Sequence, residues 1–267
     1  MSLSPWIAAL SALFLWWFST GALLLLVRRA DRAGGWAHRQ LLIMAVPLLV
    51  LGVIGLWQSL AWDGIGGVYV GFAAALAIWG WIELAFLTGI ITGPERAPCP
   101  PGLSGLARFS KAWGTVAWHE LALTMGLLLI VIVSSGAENQ VGLWTYVILF
   151  VARISAKLNL FFGVPHMTTE FIPRPLSHMA SYFRKGSVTA AFPIGITVLT
   201  FAAACFLFQL SLAETDAEAA TWALLAAMAV LATLEHWLMV VPLADAKLWR
   251  WMLPAPLPAS QDERPRS

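Results

Sequence analysis

Residues 141–163 read VGLWTYVILFVARISAKLNLFFG. A bilayer-spanning helix takes about 20 mostly apolar residues, and this run is long enough. Its only charged side chains are Arg153 and Lys157, both in the second half. They are four residues apart, so on a helix they share one face. Ionisable groups at such a depth are costly and mark a function or a buried pairing. The stretch therefore predicts a membrane helix that carries its chemistry inside the bilayer.

Six further stretches of the same kind flank it, at about 5–27, 41–60, 65–92, 113–134, 188–212 and 218–243. The first is read as a retained helix, because no basic n-region and no small-residue cleavage site accompany it. The fold expected is all-α: a polytopic bundle of seven transmembrane helices over 1–253, followed by a Pro-rich disordered tail, 254–267. Composition agrees. Of 267 residues, 60% are hydrophobic and 11% charged, where soluble domains carry about 25% charged. A soluble enzyme, a disordered chain and a nucleic-acid-binding domain are excluded. The bilayer itself is the first partner expected, and 15 tryptophans suit its interfaces.

Basic residues fix the expected orientation. Arg28, Arg29, Arg32 and Arg39 lie between spans one and two, Arg96, Arg108 and Lys111 between three and four, and Arg174, Arg184 and Lys185 between five and six. Lys247, Arg250, Arg264 and Arg266 follow span seven. The alternate loops, around Asp63, Glu138 and Glu214–Glu218, carry no Lys or Arg. The positive-inside rule then puts the N-terminus in the periplasm and the C-terminus and tail in the cytoplasm. The expected location is the bacterial cytoplasmic membrane or its intracytoplasmic extensions. Cys99 and Cys205 have no CxxC neighbour, so neither a disulfide framework nor a cysteine metal site is expected. Gly67–Gly71 and Gly89–Gly93 have the small-xxx-small spacing that allows close helix approach, read here as internal packing. Residues 177–184 are read as a short interfacial helix, with Tyr182 and Phe183 as a headgroup anchor. His38, His166 and His178 belong to loops or helix ends and are not expected to be ligands.

The intramembrane polar residues are Glu83, His119, Glu120, Arg153, Lys157, Asn159, Glu235 and His236. At 1.5 Å per residue, Glu83 lies about 14 Å from the basic end of its span, Glu120 about 10 Å, Arg153 about 15 Å, Lys157 about 9 Å and Glu235 about 12 Å. Four helices thus place charge in one slab, which predicts one buried cluster. Three uses compete for it. An ion-pair network would fix helix register. A metal site is disfavoured, because the Glu-x-x-His pairs of di-metal bundles are absent and two cations stand close by. An anion or tetrapyrrole site would use Arg153 and Lys157 for a carboxylate, and His236 or His119 as the ligand of a central metal. Ala232, four residues before His236, would leave room for a macrocycle. A proton or ion path is the remaining use. No P-loop, GxSxG, dinucleotide fingerprint or haem-attachment motif occurs, and no catalytic residue is identified.

Several segments resemble one family. They are Glu83–Gly93 (ELAFLTGIITG), Trp113–Ala122 (WGTVAWHELA), Asn139–Trp144 (NQVGLW), Ala152–Pro165 (ARISAKLNLFFGVP) and Glu170–Pro173 (EFIP). Together they resemble the PuhE-type photosynthetic complex assembly proteins of purple and aerobic anoxygenic phototrophic bacteria. The resemblance implies a membrane factor encoded near the reaction-centre H subunit gene, acting in photosynthetic complex assembly or in bacteriochlorophyll supply. Reaction-centre or antenna subunits, or pigment-synthesis proteins, would be its partners, and the polar cluster would be either a structural core or a docking site for a bacteriochlorophyll-type tetrapyrrole, with a di-metal site disfavoured. The rival class is a membrane-embedded, metal-dependent enzyme of tetrapyrrole or quinone metabolism. A transporter is disfavoured by the lack of an internal repeat.

Overall fold

Residues 65–87 are apolar around their whole circumference, which marks a helix enclosed by others. In the computed structural model, which describes residues 5–167 and 172–241, this helix is the most buried of all. The order is α1 (Pro5–Ala33), α2 (Ala37–Met44), α3 (Val46–Ser59), α4 (Ile65–Leu87), α5 (Gly105–Val133), α6 (Val141–Phe162), a 3-10 helix (Arg174–Tyr182), α7 (Ala191–Ser211) and α8 (Asp216–Leu238). Seven of these helical segments are long and apolar enough to cross a membrane, with α2 and α3 counted together as Ala37–Ser59. The break between those two falls at Ala45, where Pro47 cannot donate a backbone bond and disfavours the helical conformation before it. Among the described residues there is no strand beyond an isolated bridge between Val164 and Lys185.

The seven-helix reading holds, with shifted ends. Span three, expected to reach residue 92, stops at Leu87. Gly89 takes φ +75°, Ile90 N–H donates to the Ala85 carbonyl and Gly89 N–H to the Phe86 carbonyl, the paired bonds of a Schellman cap. The fourth starts eight residues early, at Gly105, so Arg108 and Lys111 ride on α5 itself. The eighth helix starts on a capping box between Thr215 and Glu218 and ends at Leu238, short of the expected 243. The tail 254–267 lies outside the described residues.

Helices α4, α6 and α8 form the middle of the bundle. α1 packs on α4 and α8, α3 on α4, α5 on α4 and α6, and α7 on α6 and α8. Glycines let these axes approach. A Cβ on Gly142 would lie 3.0 Å from the Gly71 carbonyl, and one on Gly52 would meet Ala74, Ala77 and Ile78. Gly93 is closed against the Gly114 carbonyl in the same way. Both small-residue spacings thus contribute to internal packing. Tyr146, fully buried, donates its hydroxyl to the Leu123 carbonyl at 3.1 Å and meets Trp79 edge-on.

Because the helices alternate in direction, the loops sort to two ends. Asp63, Glu138, Glu214 and Asp216 are at one, and Arg32, Arg39, Arg96, Arg174, Arg184 and Lys185 at the other. These are the acidic and basic ends. At the basic end two long connections are tied together. Arg108 donates to the Phe161 and Tyr182 carbonyls, Tyr182 Oη to the Ala97 carbonyl, and Cys99 N–H to Ser181 Oγ. Tyr182 is buried here, so the expected headgroup anchor is corrected: its hydroxyl is needed between the loops.

Candidate functional site

Glu83 and Phe86 are three residues apart and project from one face of α4. His119 and Glu120 come from α5, and Arg153 and Lys157 from one face of α6. Between them Arg153 Nη2 donates to Glu83 Oε2 at 2.7 Å, and Lys157 is ion-paired with Glu120. His119 Nε2 stands 3.6 Å from the other Glu83 oxygen, beyond hydrogen-bond range. The His119 ring stacks on Phe86, with 4.2 Å between centroids. Arg153 and Lys157 lie over the same Phe86 ring at 5.9 and 5.4 Å, a cation–π arrangement. Phe86 is thus a ring on which the imidazole and both cations converge.

Helix α5 reaches this place through an unusual contact. The Thr92–Glu95 segment lies along it, with Glu95 N–H donating to the Gly114 carbonyl and His119 N–H to the Thr92 carbonyl. The loop thus takes part in α5's own hydrogen bonding just where His119 and Glu120 leave the helix. Glu95 also accepts from Lys111 at 2.5 Å, and that bond holds its carboxyl below the usual carboxylate range.

The single cluster expected from depth is divided in two. Residues 153 and 155 are about 200° apart around a helix, so they face opposite ways. Ser155 and Asn159 point to α7 and α8. The Ser155 hydroxyl meets His236 Nε2 at 2.9 Å, and Asn159 Nδ2 donates to the Ser155 carbonyl at 3.0 Å. His236 Nδ1 is bonded to the Ala232 carbonyl at 2.7 Å. Both nitrogens of this buried ring thus have partners within the protein. An axial ligand at His236 would have to give up the Ser155 bond, and one at His119 would have to enter a fully enclosed space. Glu235 on α8 is exposed and makes no hydrogen bond or ion pair among the described residues, but its carboxyl lies within electrostatic reach of Arg153.

A cavity of about 160 Å³ opens between α5, α6 and the 3-10 helix. Its polar wall is Glu120, Arg153 and Lys157, and its apolar walls include Phe86, Phe109, Trp113 and Phe161. Tyr182 closes it on the loop side. The Arg153 and Lys157 side chains keep 34% and 20% of their surface accessible, against 4% for Glu120. Sequence reasoning found the charged residues of this site and missed Phe86, Ser155 and the aromatic wall. The signal for Ser155 was available, since it stands four residues before Asn159. Among the described residues no three His, Cys, Asp or Glu side chains converge as a metal site would require.

The model of a family described as a protein of unknown function, DUF3623, matches residues 2–260. The chain belongs to the DUF3623 family. A relative from Rhodobacter capsulatus is 47% identical over 252 residues, spanning 94% of this chain and 92% of its own length. It is described as the uncharacterized 30.4 kDa protein in the puhA 5′ region. No solved structure matches this DUF3623 chain.

Proposed function

We propose that this protein is an integral membrane factor for assembly of the bacterial photosynthetic complex, or for supply of bacteriochlorophyll to it. The observation that carries the reading is the relative from the puhA 5′ region, puhA being a reaction-centre gene. The PuhE-type motifs lie where they would matter: Glu83, His119, Glu120, Arg153 and Lys157 line or support the cavity wall. In this reading the cavity docks the rim of a bacteriochlorophyll-type pigment or precursor. A space of about 150 Å³ accepts a benzene-sized group, so a macrocycle would enter by one edge only. Reaction-centre or antenna subunits, or pigment-synthesis proteins, are the partners. The basic end faces the cytoplasm, the N-terminus the periplasm, in the inner membrane or its intracytoplasmic folds.

The test is genetic and spectroscopic. Deleting the Rhodobacter capsulatus relative should lower the near-infrared absorption of assembled complexes, and this chain should restore it. Unchanged absorption in the deletion strain would overturn the assembly role. An absorption spectrum of the protein purified in mild detergent from a pigment-producing host tests docking directly. The alternative, a metal-dependent enzyme, predicts stoichiometric iron or manganese in the same preparation.

A further inference from the structure

The cavity beside α5 and α6 also constrains the charge of what it holds, given the reading that it is a ligand site. Its walls are mostly apolar and rich in aromatic rings, and its volume suits one ring or the edge of a larger one. Flat rings pack well among Phe86, Phe109, Trp113 and Phe161. The polar wall decides the rest.

Each cation there already has its carboxylate: Glu83 for Arg153, Glu120 for Lys157. The two pairs sum to zero, and Glu235, within electrostatic reach of Arg153, adds no positive charge, so the cations have no excess over the acids. Donors are nevertheless left over. Among the described residues Arg153 hydrogen-bonds through Nη2 alone, which leaves Nη1 without a partner there and Nε buried without one. Lys157 uses one N–H on Glu120 and can offer others. The wall is thus electrically closed, yet Arg153 and Lys157 keep N–H groups to offer, beside Glu120 Oε2, a buried acceptor also without a partner among the described residues.

A carboxylate entering this site would bring a third negative charge to two cations in a low-dielectric setting, where unbalanced charge is expensive. An uncharged carbonyl oxygen accepts from the spare N–H groups of Arg153 and Lys157 without that cost. We infer that the cavity takes an uncharged, carbonyl-bearing ring, its oxygen received by Arg153 and Lys157, in preference to a free carboxylate. Two kinds of molecule carry that chemistry: a tetrapyrrole whose acid is esterified, and a prenylated quinone.

The experiment uses the full-length protein in detergent micelles and reads binding from quenching of tryptophan fluorescence, since Trp113 lines the cavity. The probes are pheophorbide methyl ester, pheophorbide free acid and decylubiquinone. The methyl ester should bind at least roughly tenfold tighter than the free acid. Glu120→Gln frees Lys157 from its carboxylate, and the preference should shrink or reverse toward the acid. Ala112→Trp fills the cavity without touching either ion pair, and should abolish binding of every probe. Tighter binding of the free acid to the wild type, or an ester-to-acid ratio unchanged by Glu120→Gln, would overturn the inference. So would probe binding that survives Ala112→Trp, or the absence of binding by both carbonyl probes. Decylubiquinone binding without ester binding would keep the inference and refute the pigment reading.

Discussion

Glu83 is held inside the bundle by one strong bond, to a guanidinium that itself has only partial shelter. Removing that partner leaves a buried carboxylate uncompensated. Arg153→Ala should therefore cost about 3–5 kcal/mol, read as a lowered thermal unfolding midpoint in detergent. Glu83→Gln in the Arg153→Ala background should recover part of the loss, because the orphaned charge is gone. Equal stability of wild type and Arg153→Ala would show that the pair is not enclosed. Both partners were legible in the sequence, since charged residues in apolar runs are few and each must be accommodated. Their division into two groups was legible only in part. Depth along a helix follows from residue number. Which helix each face meets depends on packing, and Ser155, polar but uncharged, signalled itself only through its spacing from Asn159. The role of Phe86 was invisible for a related reason: an aromatic residue in a membrane helix is ordinary until its neighbours are known.

At the level of helices, the contact between α6 and α7 is set by one small residue. A Cβ on Gly195 would fall 2.0 Å from Ser155 Oγ. Gly195→Ala should thus push Ser155 off His236 and destabilise by about 1–3 kcal/mol, as overpacking does. Adding Ser155→Ala should return much of that stability by opening the space. An additive double variant would mean that the two side chains do not meet. The 3-10 helix carries a second dependence, on pH. Burial, and then the nearby Arg96, hold the His178 imidazole below its ordinary value of 6.5. Its neutral form is favoured in the folded state, so its contribution is present above that value and is lost as pH falls below it. Hydrogen-exchange protection over Arg174–Tyr182, with the intrinsic pH dependence of amide exchange divided out, should fall from about pH 7.5 to about pH 5.5, and His178→Gln should flatten the change. A wild-type protection factor indifferent to pH in this window would contradict the linkage. Helix existence was read from apolar length. Helix ends were not, because a Schellman cap at Gly89 and a capping box at Thr215 leave hydropathy almost unchanged.

Over the whole molecule, the two ends differ in sign, and this polarity is the basis of the proposed orientation. Single cysteines introduced at Asp63 and Glu138 in a Cys99→Ser, Cys205→Ser background should react with a membrane-impermeant maleimide added to intact cells with permeabilised outer membranes. A cysteine at Lys185 should react only after the inner membrane is opened. The reverse pattern would invert the topology and move the cavity to the periplasmic half. This large-scale order was the most legible feature of all, since it needs only the count of basic residues between spans. The stitching of residues 92–95 onto α5 was the least legible, because it joins backbone groups that every sequence possesses.

The ion pairs also have a place in time. Both carboxylates that receive the cations of α6 belong to α4 and α5, which leave the ribosome earlier. An Arg or Lys at mid-helix weighs against insertion by roughly 2.5–3.5 kcal/mol on translocon scales. The order of synthesis thus puts both acids into the chain before the cations that pair with them, and the helix hardest to admit is made after the two that can neutralise it.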